Sequence, residues 1–279
     1  MTESKEDILA NLKTLDDKID KAKEVIREGL DRFDIDDLAV AWTGGKDSTL
    51  ILWFLREVCR ERGRAMPVCF CIDEGDMFDE IRAFLDTWTE EWGLELHMVH
   101  NDDVSSHAEG LGAPVNIADL DEENQYEAAR VGWEEPTFFY EPESLVGNHL
   151  MKTVAMNRFL REHGIKAFFE GIRWDEQGAR AEETYFSERE GDKYAPEHVR
   201  ISPLLHIKEI EVWDITRNLG VPYCKLYEQG FRSLGARVTT RKTGDVPAWE
   251  QDLESAPERV GRRQDKEDQM EKLRQLGYM

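Results

Sequence analysis

Cysteine is scarce in this chain of 279 residues, with four thiols, Cys59, Cys69, Cys71 and Cys224. Cys69 and Cys71 stand two apart in an apolar run, and no C-x-x-C pair completes a zinc or iron–sulfur site. Packing in a reducing, cytoplasmic compartment is the expected role of all four, and no transition metal is assigned. Long apolar runs are missing too. The longest uninterrupted one is Leu50 to Leu55, too short to span a bilayer. Met1 to Asp7 lacks a basic region followed by an apolar run, so no export signal is expected. Positive charge is in deficit, with 36 Lys+Arg against 59 Asp+Glu and a net charge of −23. So acidic a surface repels phosphodiesters and anionic lipids, which argues against nucleic acid or a membrane as partner. It also suits solubility in high salt, and a halophilic source is a working expectation. What remains, 40% hydrophobic and 10% aromatic residues, is enough for a folded core.

Apolar residues at steps of three and four from Ile8 to Leu30 predict an amphipathic helix over 5–30. The run Leu38–Trp42 predicts a buried parallel strand, followed by a glycine turn and a helix from about Asp47 to Arg62. Strands at Pro67–Ile72 and Glu95–Val99 flank a helix over Met77–Trp92. That alternation predicts an α/β fold, a mostly parallel twisted sheet with helices on both faces. Residues 101–146 lose the rhythm and are rich in acids. They are either an excursion with its own short helices or a mobile lid. The pattern resumes with a helix over 148–163, a strand at Ala167–Glu170, an apolar segment Ile201–Leu205 and a helix over Lys208–Asn218. Three parts result: an N-terminal helix (1–36), a nucleotide-binding α/β domain (37–220) and an arginine-rich segment with a charged, helical tail (221–279).

The residues richest in chemistry are Ala41 and Thr43-Gly44-Gly45-Lys46-Asp47-Ser48-Thr49, just after the first strand. Two glycines let the backbone turn tightly and approach an anion, and the following helix aims its positive end there. Ser48 and Thr49 add hydroxyls, and Lys46 adds a mobile charge. The segment is not a Walker A loop, because Val40 stands where that motif requires glycine.

Thr43-Gly44-Gly45-Lys46-Asp47-Ser48 resembles the pyrophosphate loop of the adenine nucleotide α-hydrolase (PP-loop) superfamily, whose members attack ATP or an adenylylated compound at the α-phosphate. Gly171-Ile172-Arg173-Trp174-Asp175-Glu176 with Arg180-Ala181 is similar to a segment shared by sulfate adenylyltransferase small subunits and phosphoadenylylsulfate reductases. Asn148–Thr153 and the ending Glu258–Arg262, Asp265 and Gln275–Tyr278 resemble the adenylyltransferase subunit. Tyr227–Gly235 and Thr239–Lys242 resemble the reductase. The reductase family carries a nucleophilic cysteine in a Glu-Cys-Gly-Leu-His motif, and this chain has none after Cys224. The resemblance therefore implies ATP-dependent activation of sulfate, with ATP and Mg²⁺ held through the phosphates and a GTPase as partner subunit. The alternatives are a phosphoadenylylsulfate reductase family member or a nucleotide-binding scaffold without turnover.

Sulfate is a poor nucleophile, so charged donors at the α-phosphate are the expected machinery. Lys46, Arg173 and Arg180 are the catalytic candidates, the arginines because guanidinium grips oxyanions with two bonds. Asp175 and Glu176 either orient those arginines or hold Mg²⁺. Asp73, at the carboxyl edge of the sheet, is a ribose contact by the resemblance or a helix cap. Gly171 belongs to the expected nucleotide contacts. Arg232, Arg237 and Arg241, beside Lys242, form a local basic cluster that serves either an anion or a partner. Trp42 and Trp174 are expected to pack the core.

Overall fold

The computed structural model describes residues 4–256 and Glu258, apart from Glu143 and Gln177. The rest of the expected tail, Arg259–Arg262, Asp265 and Gln275–Tyr278, lies outside the described residues. The periodic N-terminal stretch forms two helices, α1 (Lys5–Asn11) and α2 (Leu15–Arg32), where the sequence pattern predicts one. Thr14 divides them. Its hydroxyl accepts the Asp17 amide at 3.1 Å, while the Asp17 carboxylate accepts the amides of Thr14 (2.8 Å) and Lys13 (3.1 Å). That capping box starts a new helix in spite of the continuing apolar rhythm.

Then follow β1 (Leu38–Ala41), α3 (Lys46–Arg62), β2 (Val68–Ile72), α4 (Asp79–Trp92) and β3 (Leu96–Val99). Residues 101–146 form a structured excursion: α5 (Asp102–Ser106), an antiparallel pair β4 (Pro114–Asn116) and β5 (Thr137–Phe139), and between them α6 (Glu122–Arg130). Its own small core of Val104, Val115, Leu120, Val131 and Phe138 closes on Leu150. The following helix reads α7 (Leu145–Asn148), a π-helical turn (His149–Val154) and α8 (Ala155–Glu162). The chain continues with β6 (Ala167–Phe169), β7 (Phe186–Arg189), β8 (His198–Ile201) and α9 (Glu209–Leu219). The antiparallel edge strand β7 escapes sequence reading because Phe-Ser-Glu-Arg is polar and short.

The six-stranded sheet runs β3-β2-β1-β6-β8-β7, parallel except for β7. Strand alternation divides the core. Leu38, Val40, Cys69, Cys71 and Phe169 face α2, α3, α4 and α9, whereas Ala39, Phe70 and Phe168 face Phe159 and Leu160 of α8. Helices thus cover both faces. The chain moves outward from β1 to β3 and then returns to lay β6 on the other side of β1. The carboxyl ends of β1 and β6 therefore flank the crevice where open α/β sheets take ligands. Among the described residues no helix is long and apolar enough to cross a membrane.

This packing can be probed at two positions. Gly29 lets α2 lie close on the sheet, since a Cβ there would stand 2.9 Å from Phe169 Cζ and 3.0 Å from Ile201 Cδ1. Gly29→Val should destabilise the fold by about 1–3 kcal/mol in urea titration, and an unchanged midpoint would contradict the close approach. Burial pushes His206 down to about 4 from 6.5, with its ring held by Tyr185 Oη and the Lys18 carbonyl. The unfolded chain then takes up the proton first, so stability should fall as pH drops from 6.5 toward about 4. His206→Asn should make that slope shallower, and an unchanged slope would contradict the assignment.

Candidate functional site

The loop after β1 is built around Gly44 and Gly45. Gly44 makes the turn at φ +73°, and Gly45 is the N-cap of α3. A Cβ on Gly45 would sit 3.4 Å from Thr43 Oγ1, 3.7 Å from Tyr227 Oη and 3.8 Å from Ser48 Oγ. Three hydroxyls therefore stand around Gly45 where it lines a cavity, at the positive end of a 17-residue helix, the arrangement that receives phosphate. The loop is braced from within. Ser48 Oγ accepts the Thr43 amide (3.3 Å) and donates to the Gly45 carbonyl (3.1 Å), and the Lys46 amide donates to Tyr227 Oη at 2.9 Å. Ala41, Thr43, Gly45, Lys46, Asp47 and Ser48 line the cavity of about 320 Å³ in front of this loop. Thr49 does not. Its hydroxyl accepts the indole N–H of Trp42 at 3.1 Å in the core, which places it behind the loop instead of on a phosphate. Gly44 abuts Ile81 and serves the turn alone.

Lys46 is not the mobile charge expected of it. Its ammonium is buried, 3.1 Å from Asp47, 3.9 Å from Glu209 and hydrogen-bonded to Glu258. Burial opposes its charge, but Asp47 and Glu258 outweigh that and raise its pKa. Arg173 is likewise fully buried, bonded to Asp47 and Glu258, 2.9 Å from Asp175 and 3.5 Å from Glu176. Burial would raise the Glu258 carboxyl, yet Arg173 and Lys46 hold it well below the carboxylate range. Arg173 thus ties the loop to the turn after β6 and faces carboxylates instead of the cavity, where sequence reasoning expects a catalytic residue. Gly171 has the same office: a Cβ there would meet the Ser48 amide at 2.7 Å. Arg180 differs, since it lines the cavity on a bond to Glu176 with a quarter of its side chain exposed.

The arginine-rich segment corrects another expectation. Arg232 is buried on Glu209 (2.7 and 3.0 Å) and on the Asp252 carbonyl (2.9 Å), and Arg237 holds Asp79 (3.1 Å) and the Met77 carbonyl (2.6 Å). Arg241 is exposed outside the cavity. The arginines anchor the segment, and it is the neutral Ser233–Ala236 between them that lines the cavity. Asp73 also turns away from the cavity. It accepts the Gly75 amide at 2.9 Å and Arg82 at 2.8 Å, bracing a turn and capping no helix. Trp42 packs the core, and Trp174 donates to the Glu183 carbonyl at 2.8 Å.

Sequence reasoning misses several residues of the site. Tyr227 and Glu258 signal themselves only as members of longer motifs, and Glu209 carries no signal at all. The π-helical turn inserts an extra residue where Lys152 and Thr153 reach the cavity, and Lys152 sits 3.4 Å from Glu74. Cys71 also lines it, but burial pushes that thiol up to about 12.

Asp47, Glu176 and Glu258 each offer an oxygen, and these oxygens lie within 4.8 Å of one another. Hard oxygen donors suit Mg²⁺. Lys46, Arg173, Arg180 and Arg232 face Asp47, Asp175, Glu176, Glu209 and Glu258. Four cations against five carboxylates leave this network no positive surplus for a phosphate chain.

Removing Arg173 should therefore unfold more than it inactivates. Arg173→Ala leaves buried carboxylates uncompensated, and denaturant titration should report a loss of about 3–5 kcal/mol. Because those carboxylates can then take up protons, the deficit should shrink as pH falls through the acid range. Wild-type stability in this variant would contradict the network.

The sequence matches the phosphoadenosine phosphosulfate reductase domain family over residues 37–116 and 113–242. It is 30% identical over 177 residues to a phosphoadenosine 5′-phosphosulfate reductase of Xanthomonas campestris pv. campestris, covering 61% of this chain and 60% of that one. To a probable FAD synthase of Caenorhabditis briggsae it is 24% identical over 227 residues, covering 81% of this chain and 34% of the relative. The chain thus spans between a third and three fifths of the length of these two relatives. The fold is that of Candida glabrata FMN adenylyltransferase solved with FMN and an ATP analogue, with a TM-score of 0.59, 20% identity and coverage of 98% of this chain and 77% of that one. These matches back the reductase family better than the sulfate adenylyltransferase expected from the sequence. Family match, relatives and fold agree that the chain belongs to the phosphoadenosine phosphosulfate reductase domain family, within the PP-loop adenine nucleotide α-hydrolase superfamily.

Proposed function

We propose that the cavity binds an adenine nucleotide with its phosphates at Thr43–Ser48, and that the chain adenylylates an anionic acceptor. The cavity at the hydroxyl-flanked Gly45, lined also by Asp47, Glu176 and Arg180, carries this reading. Phe70, Ile72, Met156 and Phe168 supply an apolar wall for the base and sugar. In the step, an acceptor oxygen attacks the α-phosphorus as the bond to the β-phosphate breaks, and pyrophosphate leaves with the electron pair. The Thr43 hydroxyl and the Asp47 and Ser48 amides of α3 hold the departing phosphates, the Ser48 hydroxyl joins them by turning its proton from the Gly45 carbonyl, and Arg180 faces the charge that builds at the α-phosphate. Asp47, Glu176 and Glu258 would hold Mg²⁺, which supplies Lewis-acid charge when bound. The acceptor is an oxyanion: sulfate, working with a GTPase partner subunit, or a phosphate monoester such as the FMN bound in the Candida glabrata structure.

A second reading, reduction of phosphoadenylyl sulfate, is favoured by the family match and by the Xanthomonas relative. It needs a thiolate at the sulfur. Cys71 is the chain's one thiol on the cavity among the described residues, and a pKa of about 12 leaves it protonated at neutral pH.

The experiment is calorimetry and turnover on site variants. Gly45→Val should abolish ATP binding with the fold intact. Arg180→Ala should lower turnover about 10²–10³-fold with little change in ATP affinity, and Lys should rescue in part. A variant with all four cysteines changed to Ser or Ala should keep its activity. Nucleotide binding by Gly45→Val would overturn the loop assignment. Loss of activity in the cysteine-free variant, with sulfite formed from phosphoadenylyl sulfate by the wild type, would establish the reductase.

A further inference from the structure

The far half of α3 carries a feature that the nucleotide cavity does not use. Trp53, Arg56, Glu57 and Arg60 recur at helical spacing, and with Arg64 they line a separate cavity of about 250 Å³. Along the helix, Arg60 lies about 20 Å from Lys46 at a rise of about 1.5 Å per residue.

The charge balance here is the reverse of the rest of the molecule. Acids outnumber bases by 59 to 36 in the chain, yet the nearby carboxylates are already taken. Glu57 pairs with Lys23 at 3.0 Å, Glu61 with Arg27 at 3.4 Å and Asp31 with Arg62 at 2.6 Å. Among the described residues Arg56 and Arg60 have no carboxylate partner. The Arg56 guanidinium lies 4.2 Å from the centre of the Trp92 ring, which holds it in place without neutralising it. Burial first, and then repulsion by Arg60, lowers its pKa against the opposing pull of Glu57. The Trp53 indole N–H is buried here with no acceptor among the described residues, and Arg64 is fixed by donating to the Leu30 carbonyl. The groove thus gathers donors and positive charge, and the acid that lines it, Glu57, is ion-paired with Lys23 while its buried Oε2 accepts no hydrogen bond among the described residues. In a chain this acidic, two neighbouring guanidiniums without a carboxylate partner are available to an anion from outside.

We propose that this groove is a second anion site, for a sulfate- or phosphate-type oxyanion gripped by Arg56 and Arg60. A compact oxyanion suits it because two guanidiniums can share its oxygens, while the Glu57 carboxylate on the same wall repels a longer anionic chain. The proposal is independent of what the nucleotide cavity does.

Calorimetry with inorganic sulfate and inorganic phosphate on the full chain, at ionic strength held constant with sodium chloride, tests it. The wild type should bind, R56A/R60A should lose about tenfold or more in affinity at one class of site, and R56K/R60K should retain part of it. Arg180→Ala, which alters only the nucleotide cavity, should keep the groove's binding. Identical isotherms for wild type and a folded R56A/R60A would overturn the proposal. If R56A/R60A fails to fold by circular dichroism, wild-type affinity in R56K/R60K overturns it instead. Chloride competing on equal terms would mean an adventitious ion only and would overturn it as well.

Discussion

The site depends on a buried ion network in which Glu258 joins Lys46 to Arg173 and Asp47 joins the same two cations from the other side. Burying such charges costs several kcal/mol each unless every one is paired with good geometry. Here the members come from different parts of the chain: the glycine loop, the turn after β6, and the segment at Glu258. Arg232 and Glu209 extend the network to the start of α9. Pairing all of them satisfies the charges only when the loop, the turn and the later segments stand in one arrangement. The network therefore sets the shape of the cavity, and the groups that face it inherit that shape.

That constraint explains a division of labour. Lys46, Arg173 and Arg232 are held by carboxylates, and the cavity is faced by the loop's hydroxyls, by the carboxylates of Asp47, Glu176 and Glu258, and by the partly exposed Arg180 and Lys152. A phosphate chain meets a floor without surplus positive charge. The excursion over 101–146 adds the π-helical turn's support, since His149 pairs with Glu127 of α6 at 2.7 Å, both fully buried, behind the turn that brings Lys152 and Thr153 forward.

Much of this was legible in the residues. Apolar runs of four or five separated by amphipathic helices reveal a parallel sheet, and Gly44-Gly45 between strand and helix reveals the anion loop, because both depend on local backbone chemistry. Side-chain direction was not legible. Lys46, Arg173 and Arg232 are cations in the right segments, but whether a cation faces the cavity or a carboxylate depends on partners up to 212 residues away, as for Lys46 and Glu258. Thr49 fails for a similar reason: one helical step beyond Ser48 turns its hydroxyl to Trp42. The break at Thr14 was legible in principle, since Thr-x-x-Asp is a capping pattern, but the apolar periodicity through it was the louder signal.

Family membership leaves the chemistry open, because the same loop serves attack on an α-phosphate and the binding of a nucleotide whose sulfur is reduced. The bond broken decides between them. Incubating the protein with Mg²⁺, candidate oxyanion acceptors and ATP labelled in the α-phosphate, and separating the products, distinguishes the two most directly. Adenylyl transfer predicts that the label passes to the acceptor while pyrophosphate is released. Unchanged ATP under all acceptors, together with sulfite release from phosphoadenylyl sulfate, would contradict it.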